Sequence, residues 1–336
     1  MNSMIQAAQS DDIEFIIPFL PEWVMDGKVP ETTENLDAKC LEAAAFSSGA
    51  ALSLLHHTLL DTFLNVPQQL LRNRLALKAA KNCLKIERRP SDEGQIRDGF
   101  LLAELGKTDS LEQAMGPSGF MYAQWRDHVQ LLLKQEIFYT NFIGTIPIYT
   151  RITMTEIMEI DQPEISPVQA ATRALSDVMS VLPREAMVAL QWADITLSEA
   201  FGWKYMLPLV GASMTSKELK MFSDGNTKPE ELLITVHTAI ARSARDAIRL
   251  CHDLSRRAAK LRTVAPKLRA KGSDNAVALF LSEDAVSPST LASSWIFKTR
   301  NLMTPRAARR FCDRLVELGV ARELTGRCTF RLYGMA

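Results

Sequence analysis

At 336 residues the chain is longer than one compact core needs, so two or three units are expected. A charged fraction of 23% and a hydrophobic fraction of 47% exclude a disordered or collagen-like chain. No run of eighteen apolar residues occurs and the five cysteines are scattered, which excludes a hydrophobic spanning segment and a disulfide framework. Residues 1–12 are polar and acidic, without the pattern of an export signal. A cytoplasmic protein with reduced thiols is therefore expected.

Residues 1–39 are punctuated by Pro18, Pro21, Gly27 and Pro30, and read as a weakly ordered segment pinned by Trp23. A helical subdomain is expected over 40–150. Residues 41–64 are rich in Ala and Leu, and the run Ser47-Ser48-Gly49-Ala50-Ala51 predicts a close helix approach. Pro67 suits the first position of a second helix reaching about Glu87. Leu70, Leu71, Leu75, Ala79 and Leu84 recur there at helical spacing, with Arg72, Arg74, Lys78, Lys81 and Lys85 around the remainder. Ser91 suits the cap of a third helix, with Asp92 and Glu93 in its first turn. Residues 106–119 carry Gly, Ser and Asp and read as a loop, and a fourth helix is expected over about 120–142. The β-branched stretch 143–163 reads as a seam between units.

A second helical subdomain is expected over 151–271. Ser166-Pro167 and Pro183 mark helix starts, Gly202-Trp203 an end, and 206–212 a short buried helix. Pro229 starts the longest helix, to about Leu261. Its Leu233, Val236, Ile240, Ala244, Ala247, Cys251, Leu254, Ala258 and Leu261 form a near-heptad seam. Two readings stand, a core helix tying the body to the end of the chain and a homodimer interface. The alanine-rich seam fits the first better.

The last unit is expected over 272–336, after a hinge at Gly272-Ser273-Asp274. Asp274 can cap a helix carrying Ala276, Val277, Leu279, Phe280 and Leu281, and Ser287-Pro288-Ser289 starts the next element. Thr304 is a good N-cap, Pro305 a good first residue and Gly319 a good terminator, so a helix is expected between them. Ala307, Ala308, Phe311, Leu315 and Leu318 share one face. Arg306, Arg309, Arg310, Asp313 and Glu317 lie opposite, with Arg314 flanking them. Residues 320–324 and 328–333 read as strands joined by a tight turn at Thr325-Gly326-Arg327. Cys328, Phe330 and Leu332 would face inward, and Thr329, Arg331 and Tyr333 outward. A helix followed by such a hairpin is the outline of a winged helix-turn-helix.

Charge supports a site there. The chain holds 39 basic and 39 acidic side chains, but residues 242–336 contain 19 Lys and Arg against 8 Asp and Glu, a net of +11. The other 241 residues therefore hold 20 basic and 31 acidic side chains, a net of −11. Seven basic residues and no acid fall between Arg256 and Lys271. A basic end on an acidic body points to a negatively charged partner, commonly nucleic acid. The competing reading is that the basic surface docks on the protein's own acidic half.

Enzyme motifs are weak. Gly106-Lys107-Thr108 echoes a phosphate loop, but the pattern needs glycine where Leu101 stands. The five histidines show no metal-ligand spacing. His57 with Asp61 reads as an ordinary helix pair, and Glu93, Arg97 and Asp98 as a solvated face.

The segments 45–52, 71–80, 93–98 and 261–272 together resemble a proteobacterial family known as domain of unknown function 1403. So do Arg309-Arg310-Phe311-Cys312-Asp313-Arg314-Leu315 onward through Gly319, Thr325-Gly326-Arg327 and Tyr333-Gly334. The resemblance covers most of the chain beyond about residue 20. It implies no activity and no catalytic residues, and it places similar proteins on rhizobial and related plasmids. The tail is also similar to the helix and wing closing many Fic-type and rhizobial helix-turn-helix proteins. The Fic catalytic loop is absent.

The expected fold is mainly α, a multi-helix body followed by a C-terminal winged helix-turn-helix with a small β-hairpin. The expected function is binding of double-stranded DNA by a regulator or maintenance factor of a mobile replicon. The expected contacts are Arg306, Arg309, Arg310, Arg314, Arg327, Arg331, Lys267, Arg269 and Lys271. No metal, cofactor or membrane is called for. The alternatives are a protein-docking scaffold and an enzyme with a site in the body that gathers His57, Asp61, Glu93, Arg97 and Asp98.

Overall fold

The computed structural model describes residues 36–105, 111–159, 165–293, 303–326 and 330–336. Of the expected weak segment, residues 1–35 lie outside them and 36–39 belong to the first helix. The fold is mainly α with a small antiparallel β-hairpin at the C-terminal end. Among the described residues no helix is long and apolar enough to cross a membrane.

Helices α1 (Leu36–Leu60) and α2 (Gln68–Ile86) open the body. Next come α3 (Glu93–Leu105), α4 (Leu111–Gln130), α5 (Glu136–Thr145) and α6 (Arg151–Glu159). Helix α2 is the central rod, packed against α3, α4 and several later helices. Leu70, Leu71, Leu75, Leu77, Ala80 and Leu84 are buried around most of its circumference. That enclosure takes in Arg72, which is only 8% exposed, while Lys81 and Lys85 stay exposed.

Several local expectations need correction. A Cβ on Gly49 would meet nothing within 4 Å, so in the small-residue run of α1 the approach to a neighbour falls to the fully buried Ser48 and Ala51 rather than to Gly49. The cap of α3 is Asp92 rather than Ser91: Asp92 Oδ1 accepts from the Gln95 amide at 2.8 Å, while Ser91 Oγ pairs with Ser118 Oγ at 3.0 Å. Helix α4 begins within the expected loop and is kinked at Gly116, just before Pro117. Gly119 is there for space rather than for a turn. A Cβ on it would stand 2.8 Å from the Phe100 amide nitrogen, so it lets α3 and α4 touch backbone to backbone. Helices α4 and α5 are separated by residues 131–135 rather than forming one helix. Leu132 bridges Tyr205 in that gap, and Lys134 takes φ 63. Within the stretch expected as a seam, Ile148–Thr150 forms a 3-10 turn and α6 follows directly, while residues 160–163 lie outside the described residues.

The middle of the chain forms α7 (Pro167–Val181) and α8 (Ala186–Ala200), which pack together. Ser166 closes a capping box with Gln169, as the Ser-Pro signal predicts. Pro183 falls in the turn before α8 rather than at its start. Helices α9 (Val210–Ser213) and α10 (Ser216–Lys220) are short, and 206–208 is non-helical. Asp194 on α8 organises this turn. Its fully buried carboxylate accepts from the amides of Leu209 at 2.9 Å, Val210 at 2.7 Å and Gly211 at 2.8 Å. Burial pushes the carboxyl up to about 7 against the opposing pull of those three amides.

Helix α11 (Pro229–Val264) is the longest element and lies along α1. Its seam residues Val236, Ile240, Ala244, Ala247, Cys251, Leu254, Ala258 and Leu261 are all buried within this one chain. Leu233, the first seam residue, is half-buried, and the rest of the stripe is filled by the chain itself. A 3-10 turn (Ala265–Lys267) follows, then α12 (Ser273–Ser282), α13 (Pro288–Leu291) and α14 (Pro305–Glu317). Asp274 lies in the first turn of α12 rather than at its cap, which is Gly272 at φ 83. Strands β1 (Ala321–Glu323) and β2 (Tyr333–Met335) pair antiparallel, with Arg322 opposite Gly334.

Strand β2 lies later than expected, and Tyr333 is buried rather than outward. Strand β2 also has a second neighbour. Val286 bridges Tyr333 on the edge away from β1, with N–H···O distances of 2.8 and 2.9 Å.

Body and end are joined by polar contacts. Arg74 of α2 pairs with Asp284, which is 3% exposed. Arg126 of α4 pairs with Glu283 at 2.7 Å, and Asn73 donates to the Ser282 carbonyl at 2.9 Å. Arg257 of α11 donates to the Met335 carbonyl at 3.2 Å.

Candidate nucleic-acid interface

Helix α14 is defined at both ends by its own sequence. Thr304 Oγ1 accepts from the Ala307 amide at 3.2 Å, and Pro305 needs no partner for a missing N–H. At the other end Gly319 takes φ 68, where a side chain would be strained. The Val320 amide then donates to Leu315 O at 3.0 Å and the Gly319 amide to Val316 O at 2.9 Å. That pair of bonds is a Schellman closure. Ala308, Phe311, Cys312 and Leu315 anchor the helix in the core.

The opposite face carries the charge. Arg306, Arg309, Arg310 and Arg314 are exposed. Arg306, Arg310 and Arg314 follow one another at helical spacing and line a groove of about 370 Å³. Its far wall is the chain just after α11, with Lys267 and Arg269, both exposed. Five predicted residues thus converge, and among the described residues no acid lines the groove. Among the described residues Arg306, Arg310, Lys267 and Arg269 have no ion pair. Arg314 pairs with Glu317 at 2.9 Å in an exposed contact of small energetic worth.

Arg309 and Arg331 lie on the other side of α14. They line a second groove, about 800 Å³, with Ser289, Asp313, Phe330 and Tyr333. This groove is electrically mixed. Arg331 stands 4.0 Å from Asp313 and 3.9 Å from Glu323, and the Tyr333 hydroxyl donates to Asp313 at 3.3 Å. Lys271 is exposed but lines neither groove, and Arg327, Cys328 and Thr329 lie outside the described residues. The approach of Lys267 and Arg269 to α14 carries no signal in the local sequence beyond their positive charge.

The residues considered for an enzyme site are engaged separately. Glu93 meets Lys81 at 3.1 Å, Arg97 bonds Asp98 at 2.9 Å, and Asp61 Oδ1 accepts from the Phe63 amide at 2.8 Å. Asp61 lies past the end of α1, so it closes a turn rather than bonding His57 along a helix. Ser48 Oγ lies 2.6 Å from His237 Nδ1, but Ser48 is fully buried and also within 3.0 Å of the Ala45 carbonyl. Burial pushes the thiols of Cys83, Cys251 and Cys312 up to about 12, so none is a thiolate at neutral pH. Among the described residues no cluster of His, Cys, Asp and Glu has the geometry of a metal site.

The family model described as "Protein of unknown function (DUF1403)" matches residues 7–335, and the chain belongs to that family. No curated protein matches it.

Proposed function

We propose that this chain binds double-stranded DNA through its C-terminal end, arranged as a winged helix-turn-helix from about residue 272. The order α12, Val286, α13, α14, β1, β2 supports that arrangement, with Val286 and β1 on opposite edges of β2. Helix α14 then takes the place of the recognition helix, and the loop between β1 and β2 that of the wing. The observation that carries the reading is the acid-free groove of Arg306, Arg310, Arg314, Lys267 and Arg269. Cations gathered without acids form a positive field that a polyphosphate would neutralise. The exposed arginine face also argues against the competing idea that this surface is covered by the protein's own acidic body. In this reading the helical body is a sensing unit. The protein is a regulator or maintenance factor of a plasmid or other mobile replicon, the setting that the family resemblance implies.

Fluorescence anisotropy with a random-sequence duplex tests this. If all five groove cations meet phosphates, log K should fall with log salt at a slope of about −4.5. Replacing Arg306, Arg310 and Arg314 with alanine should flatten that slope by about 2.7. Absence of binding at low salt, or an unchanged slope in the triple variant, would sink the proposal. Poly-glutamate binding as tightly as duplex would favour the protein-docking scaffold instead.

A further inference from the structure

A second cleft, of about 300 Å³, opens on the body, far in sequence from α14. It is walled by Leu59, Leu71, Trp203 and Tyr205, with His56 and Arg72 as its inner polar groups. Arg72 is 8% exposed, and its guanidinium carbon lies 3.9 Å from the centre of the Tyr205 ring. Its Nε donates to the Val129 carbonyl at 2.8 Å. Among the described residues no carboxylate pairs with it. The other interior arginines of this region differ, since Arg74 and Arg126 each hold an acid. A buried guanidinium without a counter-ion is a costly arrangement that an incoming anion would relieve.

The neighbours define the rest of the ligand. Trp203 Nε1 donates to His56 Nδ1 at 3.0 Å, which leaves Nε2 as the protonated nitrogen of a neutral imidazole. Lys204 stands exposed at the rim. The ionisable side chains lining the cleft thus offer donors and no acid, while the walls are apolar and aromatic. A guanidinium fork suits the two oxygens of a carboxylate. Flat aromatic walls suit a planar ring, and the volume lies at the lower end for small-molecule sites.

We propose that this cleft binds a small aromatic carboxylate, with its carboxylate on Arg72 and its ring against Trp203, Tyr205 and Leu59. The site stands independently of DNA binding. Calorimetric titration of the full chain tests it with benzoate and indole-3-acetate, each against its uncharged amide. At least one carboxylate should saturate, and its amide should bind roughly tenfold or more weakly. Arg72→Met should remove that preference, and Lys204→Ala should weaken it less. Failure of both carboxylates to saturate would overturn the proposal, as would amides binding equally well. Binding unaffected by Arg72→Met in a folded variant would also overturn it. If Arg72→Met does not fold, the comparison of acid with amide on the unaltered chain decides.

Discussion

The same residue types do opposite work in the body and at the end of the chain. In the body, several ionisable groups are buried and engaged. Arg74 and Arg126 hold Asp284 and Glu283, and Asp194 holds three backbone amides. On α14, Arg306, Arg309 and Arg310 are exposed and without ion pairs among the described residues. Charge alone therefore does not separate a structural arginine from a binding one, whereas a buried ion-pair partner does. The body's charges should be expensive to remove and those of α14 cheap.

Substitutions can break that contrast. The largest loss is expected for Asp194→Ala, which orphans three buried amides and should cost about 3–5 kcal/mol in urea unfolding. A loss near zero would show that the nest is not a stabilising element. Arg74→Leu leaves Asp284 buried without its partner and should cost about 3 kcal/mol or more. Asp284→Asn combined with Arg74→Leu should recover part of that loss.

A pH effect of similar size is expected from His128. It is fully buried, and burial pushes its imidazole down to about 4. The unfolded chain takes up a proton near pH 6.5 and the folded chain only near 4. Between those values the unfolded state binds more protons, so stability falls as pH drops through that window. The loss should be about 3 kcal/mol by pH 4 and smaller in His128→Gln. Equal acid sensitivity in both proteins would remove His128 as the cause.

The smallest effect sharpens the contrast. Arg306→Ala and Arg310→Ala should each change unfolding free energy by no more than about 0.5 kcal/mol while weakening duplex binding. A large stability loss from either would show that the arginine face serves the fold.

Signals that act within a few residues were legible in the sequence. Ser166-Pro167 starts α7, Pro229 starts α11, and Thr304-Pro305 with Gly319 bounds α14, because caps and terminators work within one turn. The glycines of 106–119 misled, since Gly119 answers to a neighbouring helix rather than to its own turn. Tyr333 misled for the same kind of reason, as alternation along one strand cannot reveal which distant elements cover its two faces. At the candidate site the arginine face was legible from the helical wheel. Its meeting with Lys267 and Arg269 was not, because that depends on where α11 ends in space. Asp194 and Arg72 gave no local signal at all, since their roles come from burial by distant elements.

The contacts that fix residues 282–286 have a mechanical consequence. A unit on a loose tether can turn without disturbing what it hangs from. Here Asn73, Arg74 and Arg126 grip 282–284 while Val286 is laced to Tyr333. A load pulling on the hairpin would pass through those few atoms into α2 and α4, and through Arg257 on the Met335 carbonyl into α11. Resistance to force would then come from buried polar contacts in the body as well as from the chain that links the two.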